Sequence, residues 1–158
     1  MSPLEDIQER YRSGCELSEK DKVSLERVID SSEDIFHLQS AIYLYGLSFP
    51  KCPRIVRKAD YFITTDPTPG LTATCLKVLA DLWSMHEIYY DELEKYIDYE
   101  YYADWYDEVA VCVSFFLRHP ELQKEDTASR LARLEQQARI AGDIGLLDFF
   151  DLGELGIN

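Results

Sequence analysis

The stretch Asp104-Trp105-Tyr106-Asp107-Glu108-Val109-Ala110-Val111-Cys112-Val113-Ser114-Phe115-Phe116-Leu117-Arg118-His119-Pro120 decides the fold of this chain. Its centre, Val109 to Leu117, is almost continuously apolar and rich in β-branched residues, a pattern shared by buried strands and buried helices. The two ends separate these readings. Asp104, Asp107 and Glu108 at the start and Arg118 and His119 at the finish complement a helix dipole, and Pro120 stops the segment. A helix apolar on all sides packs between neighbours. The segment is therefore expected to be a central buried helix, and the chain all-α.

Helical spacing recurs on both sides of it. Ile35, Leu38, Ile42 and Tyr45 follow one face of a segment from Ile35 to Leu47. Pro53 suits the first turn of a second helix, with Ile55, Ala59 and Phe62 on one side and Arg54, Arg57 and Lys58 outward. The break Asp66-Pro67-Thr68-Pro69-Gly70 precedes a third helix carrying Leu71, Cys75, Val78 and Leu82 on one face. Tyr89, Leu93, Tyr96 and Ile97 mark a fourth. After Pro120, the segment from Glu125 to Ile140 has Ala128, Leu131, Leu134 and Ala138 inward and Arg130, Arg133 and Arg139 largely outward. One short helix and a frayed end are expected from Gly142 to Asn158.

A weak internal repeat links these segments. A shift of 38 residues sets Asp66 on Asp104, Leu71 on Val109, Ala73 on Val111, Cys75 on Val113 and Leu79 on Leu117; a shift of 34 sets Ala41 on Cys75 and Leu44 on Val78. Each unit is an Asp-rich break, an apolar helix of small residues and a second helix, which resembles HEAT-like repeats over roughly residues 33–119. The resemblance implies a short α-solenoid of stacked antiparallel helical hairpins, six to eight helices in all. The expectation is a single domain over 1–158 with capping helices at 125–150.

Composition narrows function more than it names it. Of the 158 residues 46% are apolar and 29% charged, with only 7 Gly and 6 Pro, which excludes disordered and collagen-like classes. Acids outnumber bases 30 to 16, a net charge of -14. Such a chain repels phosphate backbones and anionic lipid and attracts basic partners, so neither direct nucleic-acid nor membrane binding is expected. The amino-terminal MSPLEDIQER carries acids where a leader carries bases, and no run approaches a membrane span. Cys15, Cys52, Cys75 and Cys112 are scattered singly, so reduced thiols in a cytoplasmic protein are expected, with Cys75 and Cys112 in the core.

Catalytic patterns are sparse. His37, His86 and His119 lie far apart, and His86-Glu87 is followed by Ile88-Tyr89-Tyr90, without the second His of a metal-binding H-E-x-x-H pair. No nucleophile elbow, Gly-rich phosphate loop or Cys–His pairing is present. With 30 acids, a close carboxylate pair is no signal of glycoside or metal chemistry. The chain is accordingly expected not to be an enzyme and to need no cofactor or metal.

Charge is uneven. Residues 81–110 hold ten acids against Lys95 alone, whereas residues 51–80 hold five bases and two acids. A cluster of rings (Tyr89, Tyr90, Tyr96, Tyr99, Tyr101, Tyr102, Trp105 and Tyr106) lies within the acidic block. Rings that desolvate and carboxylates that steer and pair with Lys or Arg make a protein-binding surface. The expected partner-binding residues are Asp81, Trp83, Tyr90, Asp91, Glu94, Asp98, Glu100, Tyr101, Tyr102, Asp104, Trp105, Asp107 and Glu108. The competing reading is a solvated acidic helix whose tyrosines cap the core.

Small, acidic, helix-rich chains of this kind resemble immunity proteins of bacterial toxin–immunity systems, contact-dependent inhibition among them. The stretches Thr65-Asp66-Pro67-Thr68-Pro69-Gly70-Leu71-Thr72, Cys75-Leu76-Lys77-Val78-Leu79 and Asp104-Trp105-Tyr106-Asp107-Glu108-Val109 carry the likeness. It implies stoichiometric binding of a cognate toxin's basic effector domain, a nuclease whose cleft the acidic face covers being one such target. Two rivals are a HEAT-like scaffold or adaptor and a small helical-repeat enzyme such as a DNA glycosylase; the net charge opposes the second.

Overall fold

The structure, a computed structural model, describes residues 2–154. The frayed end expected after the last helix lies outside the described residues. Every regular element among them is helical. No helix among them is long and apolar enough to cross a membrane. The chain divides into two compact units, Met1–His86 and Glu87–Asn158.

The first unit contains α1 (Pro3–Arg12), α2 (Glu19–Ser31), α3 (Ile35–Ser48), α4 (Pro53–Asp60) and α5 (Leu71–Leu76). Two serine capping boxes start α1 and α2: Ser2 with Glu5, and Ser18 with Asp21. Each serine side chain accepts a backbone N–H while the acid three residues on returns to the serine's own N–H. Both α2 and α5 pack against α3. Leu38, Ala41, Ile42 and Tyr45 of α3 are buried, whereas Ile35, expected inward, is exposed on the first turn. Gly46 permits a close helix contact, because a Cβ there would lie 2.7 Å from a Val78 methyl.

Both α4 and α5 run on into π-helical turns, Tyr61–Thr65 and Lys77–Leu82. The Asp66 N–H donates to the Tyr61 carbonyl (2.8 Å) and the Trp83 N–H to the Val78 carbonyl (2.9 Å), five residues back in each case. The wider turn keeps Ile55, Ala59 and Ile63 on the buried side, so Ile63 takes the inward place expected for Phe62, which is half-buried. Leu82 is likewise only half-buried, while Thr72, Leu76 and Leu79 join Leu71, Cys75 and Val78 inside.

The second unit contains α6 (Tyr90–Lys95), α7 (Tyr99–Tyr102), α8 (Tyr106–Arg118), a 3₁₀ turn (Pro120–Leu122), α9 (Glu125–Ala141) and α10 (Ile144–Glu154). Residues 109–117 are thus helical, and Val109, Cys112, Val113 and Phe116 are fully buried. Leu71 and Cys75 in the first unit and Val109 and Val113 in the second, paired by the 38-residue shift, are all fully buried helix positions. From α9, Leu131, Leu134 and Ala138 point inward as expected; Ala128 is exposed and Thr127 is buried beside it. α10 packs on α8 and α9, and α7 on the same two helices. The described residues hold ten α-helical segments, more than the six to eight expected, because α6 and α7 are short and α1 and α2 precede the first strongly periodic segment.

Charge follows this division. Residues 1–86 carry 13 acids and 10 bases, net -3; residues 87–158 carry 17 acids and 6 bases, net -11.

Candidate protein-binding site

The acidic, aromatic block is built by short helices that turn a few apolar residues inward and leave their remaining side chains outside. In α6 and the residues flanking it, Tyr89, Leu93, Tyr96 and Ile97 are buried, which leaves Asp91 exposed and Glu94 and Asp98 half-buried. Asp98 then caps the single turn of α7 by accepting the Glu100 N–H at 3.0 Å. Glu100, Asp104 and Asp107 are exposed.

The rings form two groups. Tyr96 is fully buried and meets Tyr101 at 5.4 Å and Trp105 at 5.7 Å between centroids; both of those rings are half-buried. The Lys95 ammonium lies 5.1 Å from the Tyr96 centroid and 5.8 Å from that of Tyr101. In the second group Tyr99 stacks on Tyr102 (5.8 Å), and Tyr102 meets Tyr106 (5.2 Å). The Tyr99 hydroxyl donates to the Asp143 carboxylate. Tyr102 and Tyr106 bring their hydroxyls over Gly145, where a Cβ would lie 3.5 and 3.7 Å away. Burial and the neighbouring Tyr106 and Asp143 push the Tyr102 phenol up from its ordinary value. Tyr106, absent from the expected site, is 44% exposed and the most open ring of this group.

Several expected binding residues have other duties. Tyr90 is 9% exposed and serves as a strut inside the unit. Its ring meets Phe116, its hydroxyl shares a hydrogen bond with Thr127 Oγ1, and it accepts the Lys124 N–H at 3.0 Å. Glu108 is fully buried, and its charge contributes to pushing up the Cys112 thiol, whose main cause is burial. Both are corrections to the expected surface: helical spacing sets Glu108 on the buried face with Cys112 and Phe115, and Tyr90 is claimed by α9. Glu94 remains at the edge but is already engaged, accepting from Thr127 Oγ1 at 2.7 Å and lying 3.9 Å from Arg130 Nε. Asp81 and Trp83 belong to the first unit. There Asp81 accepts from Lys77 at 2.6 Å, and the Trp83 indole donates to the Phe49 carbonyl at 3.3 Å, edge-on to Tyr45.

α9 supplies what the sequence left out. An open groove of about 350 Å³ is lined by Asp91, Glu94, Lys95, Asp98, Tyr101 and Arg130. A neighbouring one of about 380 Å³ adds Lys124, Glu125 and Asp126, and the Lys124 ammonium sits 4.1 Å above the Tyr90 ring. A smaller hollow of about 180 Å³ places Asp98 and Glu100 beside Arg130 and Arg133. The α9 edge is therefore mixed in sign, while Asp91, Glu100, Asp104 and Asp107 keep exposed negative charge near the half-buried rings of Tyr101, Tyr102 and Trp105.

Among the described residues no three His, Cys, Asp or Glu side chains gather into a metal-binding set. His37 lies 4.0 Å from Asp34, and His119 lies 3.5 Å from Glu121 against the Phe115 ring. No protein-family model, curated protein or solved structure matches the chain.

Proposed function

We propose that the second unit docks a cation-rich protein, and that the chain is a stoichiometric inhibitor of the immunity type that binds the basic domain of a cognate toxin in the cytoplasm. A HEAT-like stacking of its hairpins is part of the same reading. The observation that carries it is the concentration of charge: -11 of the -14 falls on residues 87–158, where exposed Asp91, Glu100, Asp104 and Asp107 border half-buried rings. Carboxylates in that setting accelerate encounter with a basic surface, and the rings supply desolvated contact area once it arrives.

The test is reversal of Asp91, Asp104 and Asp107 to Lys. Each is exposed, so the fold should survive, whereas reversing Glu94 would also break its contacts with Thr127 and Arg130. With a partner captured from the native host, the triple variant should associate roughly tenfold or more slowly at low salt, and the difference should shrink as salt screens it. Equal on-rates at low salt would refute the reading, as would a captured partner whose contact surface is acidic.

A further inference from the structure

We infer that the outer face of α3 is a two-fold docking surface for a second copy of this chain. The two α3 helices lie antiparallel, and each Phe36 seats in a hollow at the far end of the partner's α3. The surface belongs to the first unit and is independent of the one assigned to the second.

α3 (IFHLQSAIYLYGLS) is apolar on most of its circumference, yet the unit covers only part of it. Leu38, Ala41, Ile42 and Tyr45 are buried, whereas Phe36 is 77%, Tyr43 41% and Leu47 38% exposed. With the half-buried Ser40, these residues stand at 36, 40, 43 and 47. At 3.6 residues per turn they share a sector of about 60°. Alternating steps of four and three residues make the seam of a helix pair. Single exposed apolar residues are ordinary on a surface, but a stripe of them along one helix marks an interaction site.

The two ends of the stripe are complementary in shape. At its start Phe36 stands out from the first turn of α3, the most open ring among the described residues. At its end Leu47 lines an open hollow of about 650 Å³ with Tyr11 and Leu17, where Glu16 is the one charge in the described lining. Phe36 and Leu47 are separated by about 16 Å along the helix axis. Antiparallel pairing about a two-fold axis therefore brings both rings to both hollows at once, as a self-complementary interface requires. Ser40 then faces the partner's Tyr43, a small side chain opposite a large one, so the seam interdigitates.

Charge selects the same arrangement. Glu33 lies just before α3 and Lys51 just after it; both are exposed, and among the described residues neither has an ion-pair partner. The antiparallel pair sets Glu33 of each chain beside the partner's Lys51, whereas a parallel pair would set like charges together. Opposed helix dipoles favour the same choice. Two copies also meet through residues 1–86, net -3, and not through residues 87–158, which carry -11.

Analytical ultracentrifugation of the full chain tests this. The wild type should dimerise at high micromolar concentration. Phe36→Asp should stay monomeric there with an unchanged circular dichroism spectrum, because the ring lies outside the core. Glu33→Lys and Lys51→Glu should each weaken dimerisation roughly tenfold at low salt, and combining them should restore it. Maleimide should label Cys15, on the wall of the hollow, more slowly in the wild type than in Phe36→Asp at the same concentration. A wild type that remains monomeric, its α3 face free or taken by a different protein, overturns the proposal. So does a dimer indifferent to Phe36→Asp, or equal labelling of Cys15 in the two proteins. A double variant that fails to regain what the single reversals lose overturns the antiparallel register. Should Phe36→Asp not fold, the charge exchange decides, since Glu33 and Lys51 both lie outside the helices.

Discussion

Replacing Gly46 with Ala tests the packing at the centre of the first unit. At an ordinary helix position the change gains about 0.8–1 kcal/mol from helix propensity. Here the added Cβ would lie 2.7 and 2.8 Å from the two Val78 methyls and 3.2 Å from the Val78 Cβ, far inside normal contact. Val78 is fully buried and β-branched, so its methyls have little rotational freedom with which to retreat. The contact between α3 and the π-helical turn must open instead. Overpacking costs about 1–3 kcal/mol, and contacts this short against a rigid side chain belong in the upper part of that range, about 2–3 kcal/mol, so after the propensity gain a net loss of about 1–2 kcal/mol is expected. Val78→Ala removes the obstructing methyls, and a double-mutant cycle should return a favourable coupling of about 1–2 kcal/mol between the two positions. The chain has two tryptophans, Trp83 in the first unit and Trp105 in the second. A Trp105→Phe background therefore lets Trp83 fluorescence report urea unfolding of the first unit. Gly46→Ala as stable as its parent, or additivity within about 0.5 kcal/mol in the cycle, would refute this account of the contact.

Tyr90→Phe keeps the ring but removes the hydroxyl shared with Thr127 and the acceptor of the Lys124 N–H. Denaturant unfolding should show a loss of about 1–2 kcal/mol, because the start of α9 has no side-chain cap of its own. Partner binding should be unchanged; selective weakening of binding with unchanged stability would return Tyr90 to the interface. Asp21 is a third case. The Arg10 guanidinium, followed by the Ser18 N–H, holds its carboxyl well below the usual carboxylate range. The folded value is depressed, so this stabilisation is complete above the unfolded value near pH 4 and is lost as pH falls towards the folded one. Asp21→Asn should therefore lower thermal stability at pH 7 and flatten its decline below pH 4; parallel stability–pH curves for the two proteins would contradict the assignment.

The all-helical fold was legible because its longest apolar run is bracketed by charges of the right sign and stopped by Pro120. The helices at 35–48, 53–60, 106–118 and 125–141 begin or end close to the places their spacing and prolines indicate. α1 and α2 were harder to see, since Leu4 and Ile7 in the one and Leu25 and Ile29 in the other are the only buried apolar residues. Their serine capping boxes were the available signal. The π-helical turns left no trace in a pattern scored at one helical period, and this moved the inward position from Phe62 to Ile63. At the site, Glu108 could have been placed inside from its four-residue spacing to Cys112. Tyr90 could not. Its hydroxyl partners, Lys124 and Thr127, come 34 and 37 residues later, and nothing local distinguishes a strut from an anchor.

The charge imbalance between the two units has an energetic consequence within the free protein. Seventeen acids against six bases in residues 87–158 repel one another, so the second unit gives up part of its own stability in isolation. Counter-ions, or a ligand rich in cations, relieve that strain. Melting of the second unit should therefore be far more sensitive to ionic strength than melting of the first, whose 13 acids and 10 bases nearly cancel.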